Sequence, residues 1–337
     1  LPWQPQSQFI KEDRLQPTEH DERVRIGAPP TVGTTGPADG RTMGALLREV
    51  GAGVVLRPNQ GEHGTIFVLG QRGTPDDAPT SIVLASEHYN MIVRLLQSGA
   101  AVKLRINVQS RYHTDDLNSY NVIAEIPGTD PRIGQEVVML GAHLDSWHAA
   151  TGGTDNADAS ASALEAMRIL KALNVRPRRT IRMALWGGEE QGLLGARAYV
   201  EQHYAGDRHA AAREKLSVYF NHDPGTGPIY GWYLEENAAV KPVFDAWLEP
   251  LKDIGARRNV IDKIGSTDHL AFIAAGLPGF NTLQDYQDYD VRTHHTNADF
   301  YERLTPKDLQ QAAIVLATFA YQAAMRDQKI PRAPMTP

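Results

Sequence analysis

The sequence predicts an α/β protein: a mixed central sheet covered by helices on both faces, preceded by a small α+β module. Three observations predict it. Apolar runs such as "VVML" at 137–140 and "IRMALW" at 181–186 suit strands buried on both faces. From about residue 119, such strands alternate with helix-patterned stretches. Four of these strands run out into acids or imidazoles, where an α/β sheet places its functional crevice.

Element by element, residues 1–27 are rich in Pro, Gln and charge without a period, and read as an extended arm. Residues 28–115 have a different texture. "TMGALLREVG" has helical spacing with Gly51 as its stop, and "EHYNMIVRLLQSG" is a second Gly-stopped helix. "GVVL", "TIFVLG" and "SIVLAS" are short apolar strands, and "AVKLRINVQSRY" alternates as a strand does. Residues 116–337 form the α/β unit. Its strands are "YNVIAEI", "EVVMLGAH", "TIRMALWGG", "LSVYFNHD" and "GFNTLQDY"; its helices cover 157–173, 192–204, 239–254 and about 305–326.

Composition narrows the function. With 42% apolar and 22% charged residues the chain is globular, and 337 residues accommodate two domains. A net charge of −6 without a Lys/Arg cluster gives no footprint for nucleic acid. The run "AAIVLATFAYQAAM" is too short to span a bilayer and reads as one face of a packed helix. The absence of cysteine excludes thiol catalysis, disulfides and Cys-held metal, so a metal must be held by His, Asp and Glu. The chain begins Leu-Pro-Trp, which fits a processed export product or a piece of a longer chain. An extracellular or periplasmic location is the expectation.

The polar clusters sit at 143–145 (His143, Asp145), at Glu189-Glu190, at His222-Asp223 and at His294-His295. Residues i and i+2 of a strand point the same way, so His143 can bind a metal while Asp145 receives its other ring N–H. The Gly152-Gly153 turn lets Asp155 face back toward His143. A carboxylate can bridge two cations, which an imidazole cannot. Of Glu189 and Glu190, one can ligate while the other handles protons. Two metals about 3.5–4 Å apart can share a hydroxide and clamp a tetrahedral intermediate. The stretch from 139 to 162 therefore reads as half of a two-metal site. Each piece alone is weak, and the other histidines, among them His63, His148 and His203, read as structural or exposed.

The ordered motifs "HLD", "TDN", "GGEEQGLLGARAYV", "NHD", "STDHLAF" and "HHTNAD" make the chain resemble the co-catalytic dizinc exopeptidases of the bacterial leucine aminopeptidase and glutamate carboxypeptidase type. Within that group it is most similar to the carboxypeptidase Q branch. The resemblance runs from about residue 41 to the end, and "SIVLASEHYNMIVRLLQSGAAVKLRINV" marks the module as a protease-associated domain. It implies two Zn²⁺, with Mn²⁺ or Co²⁺ as possible substitutes. His143 and Asp223 would hold one, Glu190 and His295 the other, and Asp155 would bridge them.

Glu189 would be the general base, Asp145 would orient His143, and the Asp155–Asn156 peptide would be cis. His294, Asp268, His269 and Asn156 would serve the substrate. His294 could instead be the ligand in place of His295; the Thr296-x-x-Asp299 that follows favours His295. The implied partners are peptide substrates and, as is common among the relatives, a second copy of the chain. The resemblance departs at Ala157-Asp158-Ala159, where Gly or Ser usually follows the Asp-Asn pair, and in the shorter stretch before the module. Lacking a clear Arg cluster for a C-terminal carboxylate (Arg292 is the nearest candidate), the chain reads as an aminopeptidase or dipeptidase. The competing readings are a single-zinc enzyme like the glutaminyl cyclases and a metal-free receptor on the same fold.

Overall fold

The structure is a computed structural model that describes residues 43–333 except 60, 62, 70–78, 112, 224 and 288, so the expected arm lies outside the described residues. The described chain opens with α1 (Met43–Glu49), β1 (Val54–Pro58), β2 (Thr80–Leu84) and α2 (Ser86–Gln97). β1 and β2 pair in parallel as a separate two-stranded sheet. Gly51 and Gly99 take φ of 77° and 80°, the left-handed geometry that ends a helix and that a Cβ disfavours.

The remaining chain runs β3 (Val122–Ile126), β4 (Val137–His143), α3 (Asp158–Ala172), β5 (Thr180–Trp186), α4 (Leu194–His203) and α5 (Ala210–Lys215). It continues with β6 (Leu216–Asn221), β7 (Ile229–Tyr233), α6 (Lys241–Leu248), α7 (His269–Ala274), β8 (Gly279–Gln284) and α8 (Pro306–Met325). These six strands form one mixed sheet in the order β3-β5-β4-β6-β8-β7. The four inner strands are mutually parallel and both edge strands are antiparallel. All four parallel strands thus deliver their carboxyl ends to one rim.

Both faces of the sheet are covered. On one, Phe220, Trp232, Phe244 and Phe319 join the sheet to α3, α6 and α8; on the other, Trp186, Tyr219 and Phe272 pack with α4 and α7. Every residue of β4 is buried, which is why its sequence is continuously apolar. Burying a side chain such as Phe244 contributes about 1.5–3 kcal/mol. At the far end of the sheet, buried Arg179 pairs with Glu136 at 2.7 Å and donates to the carbonyls of Arg326 and Asp327, tying the end of α8 to β5. No described helix is long and apolar enough to cross a membrane.

Several elements differ from expectation. "TIFVLG" forms no strand among its described residues; Phe67 alone makes an antiparallel bridge, to Thr296. Residues 101–111 alternate as read but have no ladder partner among the described residues, and Leu104, Ile106 and Val108 are exposed. The helix expected over 239–254 tightens after Leu248 into the turn Glu249–Ile254, because Pro250 cannot donate into an α-helix. β7, α5 and α7 are additions to the predicted set.

Candidate metal centre

His143 closes β4, and Ser160 Oγ on α3 donates to its carbonyl at 2.7 Å. Its Nδ1 lies 2.9 Å from the main-chain oxygen of Asp145, which leaves Nε2 turned toward the acids of the cluster and able to ligate. The Asp145 carboxylate is 3.7 Å from that Nδ1, too far for a hydrogen bond. It accepts instead from the N–H groups of Glu189 at 3.0 Å and Glu190 at 3.2 Å. Asp145 thus orients His143 through its carbonyl and holds the turn after β5 through its side chain.

The loop to Asp155 depends on glycine. Gly152 has φ of 66°, and a Cβ on Gly153 would stand 2.8 Å from the Phe300 backbone. The Asp155–Asn156 peptide is cis. Asn156 Nδ2 donates to His222 O at 3.2 Å, so that side chain ties the loop to the end of β6. Asp299, to which the sequence reading assigned no task, accepts from Thr154 N at 2.6 Å and Asp155 N at 3.2 Å. Its only sequence signal is its place after His295 in Thr296-x-x-Asp299.

Around Asp155 the donors fall into two sets. Oδ1 is 3.1 Å from His143 Nε2, which is itself 3.8 Å from Asp223 Oδ2. Oδ2 is 3.2 Å from His295 Nε2, which is 2.8 Å from Glu190 Oε2. Asp223 is fixed through its carbonyl by Asn281 Nδ2, and Asn281 also accepts from Asn221. The five side chains come from the ends of β4, β5 and β6, the loop before α3 and the segment after β8.

The electrostatics ask for cations. Burial, reinforced by neighbouring carboxylates, pushes the Glu189 carboxyl up to about 10 and that of Glu190 to about 9. Burial likewise lifts Asp223 to about 6. Asp155 is the exception: despite its burial, hydrogen bonding and attraction from His143 hold it below its ordinary value. Glu190 Oε1 is buried without a hydrogen-bond partner among the described residues. A buried oxygen left unpaired amid crowded acids and imidazoles fits divalent metal, and the all-N/O donor set suits Zn²⁺.

The other predicted residues surround this cluster. His294 stacks on Tyr289 at 4.7 Å and lies 3.9 Å from the His295 ring; it too comes within ligating range of Asp155, while His295 makes the short contact to Glu190. Burial holds His294 neutral, down to about 4. Asp268 and His269 are fully buried at the start of α7. They lie in the interior, with His269 Nε2 3.2 Å from Glu235 and Asp268 raised to about 8 by burial. Asp158, the departure from the family pattern, is buried and accepts from Ala159 N at 2.7 Å; burial pushes its carboxyl well up.

Fold and donor set are together those of an α/β metallopeptidase. The chain belongs to peptidase family M28, whose description matches residues 121–320. It is 30% identical over 262 residues to carboxypeptidase Q of Rattus norvegicus, covering 78% of this chain and 53% of that protein. The chain thus spans about half the length of the curated relatives it matches. Among solved structures it is similar to a peptidase M28 precursor from Shewanella amazonensis (28% identity, TM-score 0.72, 85% of this chain and 63% of that one). It shares its fold with a zinc aminopeptidase from Bacillus subtilis (23% identity, TM-score 0.58, 83% and 66% covered).

Proposed function

We propose that this chain is a metallo-exopeptidase that holds two Zn²⁺ ions and cleaves peptide bonds next to a free N-terminus, as an aminopeptidase or a dipeptidase. The observation that carries the reading is the division of donors about Asp155, whose two oxygens face separate His-carboxylate pairs. His143 and Asp223 would hold one metal, Glu190 and His295 the other, and Asp155 both. Mn²⁺ or Co²⁺ suits the same donors. A single-metal cyclase or a metal-free receptor would have no use for the complete second pair. Residues 28–115 are proposed as a protease-associated domain.

Once bound, the metals would polarise the scissile carbonyl and acidify the attacking water. Glu189 would serve as the general base, taking a proton from the attacking water and returning it to the leaving amine. Its main-chain N–H is pinned by Asp145, which fixes where its side chain begins. Buried and pushed up to about 10 by that burial, the carboxyl needs positive charge beside it to ionise near neutrality. The surplus of acids would receive a free α-amino group.

The test is mass spectrometry of a mixed peptide library incubated with the zinc-loaded chain, with Glu189→Gln as control. Loss of single N-terminal residues, absent from a control that keeps its zinc, is the expected aminopeptidase result. Cleavage confined to dipeptides makes it a dipeptidase. Trimming from the C-terminus removes the N-terminal reading, and an inert wild-type chain removes the enzymatic one.

A further inference from the structure

We propose that Phe67, in the N-terminal module, is a positioning residue for His295, and that residues 66–68 form a strap on which one of the two metal positions depends. The inference rests on the two-metal reading above and concerns what holds its ligands in place.

The two metal-facing imidazoles are supported differently. His143 has its second ring nitrogen fixed by the Asp145 carbonyl, the usual way of setting a ligand's tautomer and orientation. His295 has no such partner: its Nδ1 is buried and makes no hydrogen bond among the described residues. Its backbone sits at φ 57°, a conformation that a non-glycine residue keeps only where its surroundings impose it. Something else must orient that ring.

The surroundings come from far away in sequence. Val68 N donates to His295 O at 2.6 Å, Asn297 N donates to Ile66 O at 3.1 Å, and Ile66 N donates to Asn297 Oδ1 at 2.7 Å. Phe67 stands opposite Thr296 in this short antiparallel pairing. Its ring centroid is 5.3 Å from that of His295 and 6.1 Å from that of His294. Trp147 closes on His295 edge-on at 6.2 Å. The imidazole is therefore held between two aromatic rings and its neighbour His294 instead of by a hydrogen bond.

The strap is anchored in turn. Phe67 N donates to the side chain of Asn59 at 2.6 Å, and Asn59, fully buried just after β1, also donates to Thr65 Oγ1 at 3.0 Å. Asn59 N reaches Leu84 O of β2 at 2.8 Å, and Ser86 Oγ of α2 donates to Asn59 O at 3.0 Å. The small module is thereby wired through one asparagine to the segment that backs the His295 ring.

The test is zinc uptake by the full chain across a series of buffered free Zn²⁺ concentrations, counted as metal per chain and read beside thermal unfolding. Wild type is expected to load two metals. Phe67→Ala should keep the first midpoint and move the second to about 10- to 100-fold higher free zinc, the usual scale for losing support behind a ligand. Phe67→Leu, which keeps most of the volume, should move it less. Leu96→Ala, on the exposed side of α2, should move nothing.

Wild-type midpoints in Phe67→Ala, or equal weakening of both metals, would overturn the inference. If Phe67→Ala does not fold, an unshifted second midpoint in Phe67→Leu overturns it too. A wild-type chain that loads fewer than two metals removes the two-metal reading itself, and this inference with it.

Discussion

The Asp299 carboxylate grips the backbone of Asp155, accepting its N–H at 3.2 Å and that of Thr154 at 2.6 Å from 144 and 145 residues along the chain. Asp145 does the same for Glu189 and Glu190. In both places one acid holds the main chain of another, leaving the second carboxylate free to project into the site. The arrangement brings negative charges together: Asp299 is raised by burial, with Asp155 adding to the shift. It is sustainable because each gripping carboxylate is satisfied by two N–H donors.

Asp299→Ala should therefore cost both stability and metal. Two buried N–H groups lose a charged acceptor, worth about 1.5–3 kcal/mol for such a bond and less than double for the pair. Zinc affinity should drop about 10- to 100-fold. Asp299→Asn, which can accept one N–H but offers its amide to the other, should fall between. Urea unfolding and zinc titration read the two effects separately; a stable, fully loaded Asp299→Ala would dismiss the clamp.

Asp145→Ala offers a sharper discrimination. The Asp145 carbonyl, which survives the substitution, is what orients His143; the carboxylate, which does not, holds the Glu189-Glu190 turn. The expected result is a kcat lowered about 10- to 100-fold, with KM little changed, and weakening confined to the metal on Glu190. Weakening confined to the metal on His143 would show that the carboxylate acts on the imidazole after all.

Much of this site is legible in the chain because strand ends are local signals. The runs before His143, Glu189 and Asp223 are apolar enough to be read as buried strands, so their polar termini stand out. Asp299 and Phe67 are different: each acts on a partner more than 140 residues away, and the chain marks Asp299 only by its place in Thr296-x-x-Asp299 and Phe67 by nothing local. β7 was hidden for a related reason. "IYGWY" is short and interrupted by a glycine, whose Cβ would stand 1.8 Å from Arg258 O, so the position is set by packing that no periodicity encodes. Residues 101–111 show the converse: their alternation predicts a strand, yet they form none among the described residues, since a strand needs a neighbour as well as alternation.

The raised carboxyls predict how the metal-free chain responds to pH. Glu189, Glu190 and Asp268 keep their protons when folded up to about 10, 9 and 8, whereas in the unfolded chain they release them near their ordinary values of 4.5 and 3.8. Between those limits the unfolded state binds fewer protons, so stability falls as pH rises. His222 and His294, held neutral down to about 3 and 4 by burial, oppose this only below their ordinary 6.5. The melting temperature of chelator-treated protein should therefore decline from pH 6.5 toward about 9. Zinc loading should raise it and flatten the slope. A metal-free chain whose melting temperature climbs over that range would contradict the burial of these acids.

Arg179 tests the fold apart from the chemistry. It lies just before β5, at the opposite end of the strand from Glu189, so about 20 Å of sheet separates it from the site. Its guanidinium is 1% exposed, pairs with Glu136 at 2.7 Å and donates to the carbonyls that follow α8. Arg179→Met would strand those carbonyls and the Glu136 carboxylate. The expected loss is about 2–4 kcal/mol, below the figure for a fully buried pair because Glu136 retains some solvent. Arg179→Lys keeps the charge but cannot reach several acceptors with one ammonium, so it should recover only part. Adding Glu136→Gln to Arg179→Met should restore some stability by removing the unpaired charge. Throughout the series the folded protein should keep its zinc content and kcat, because the strand ends that carry the proposed ligands are unchanged. A loss of bound zinc at full folding would mean that α8 and the metal centre are coupled through the sheet.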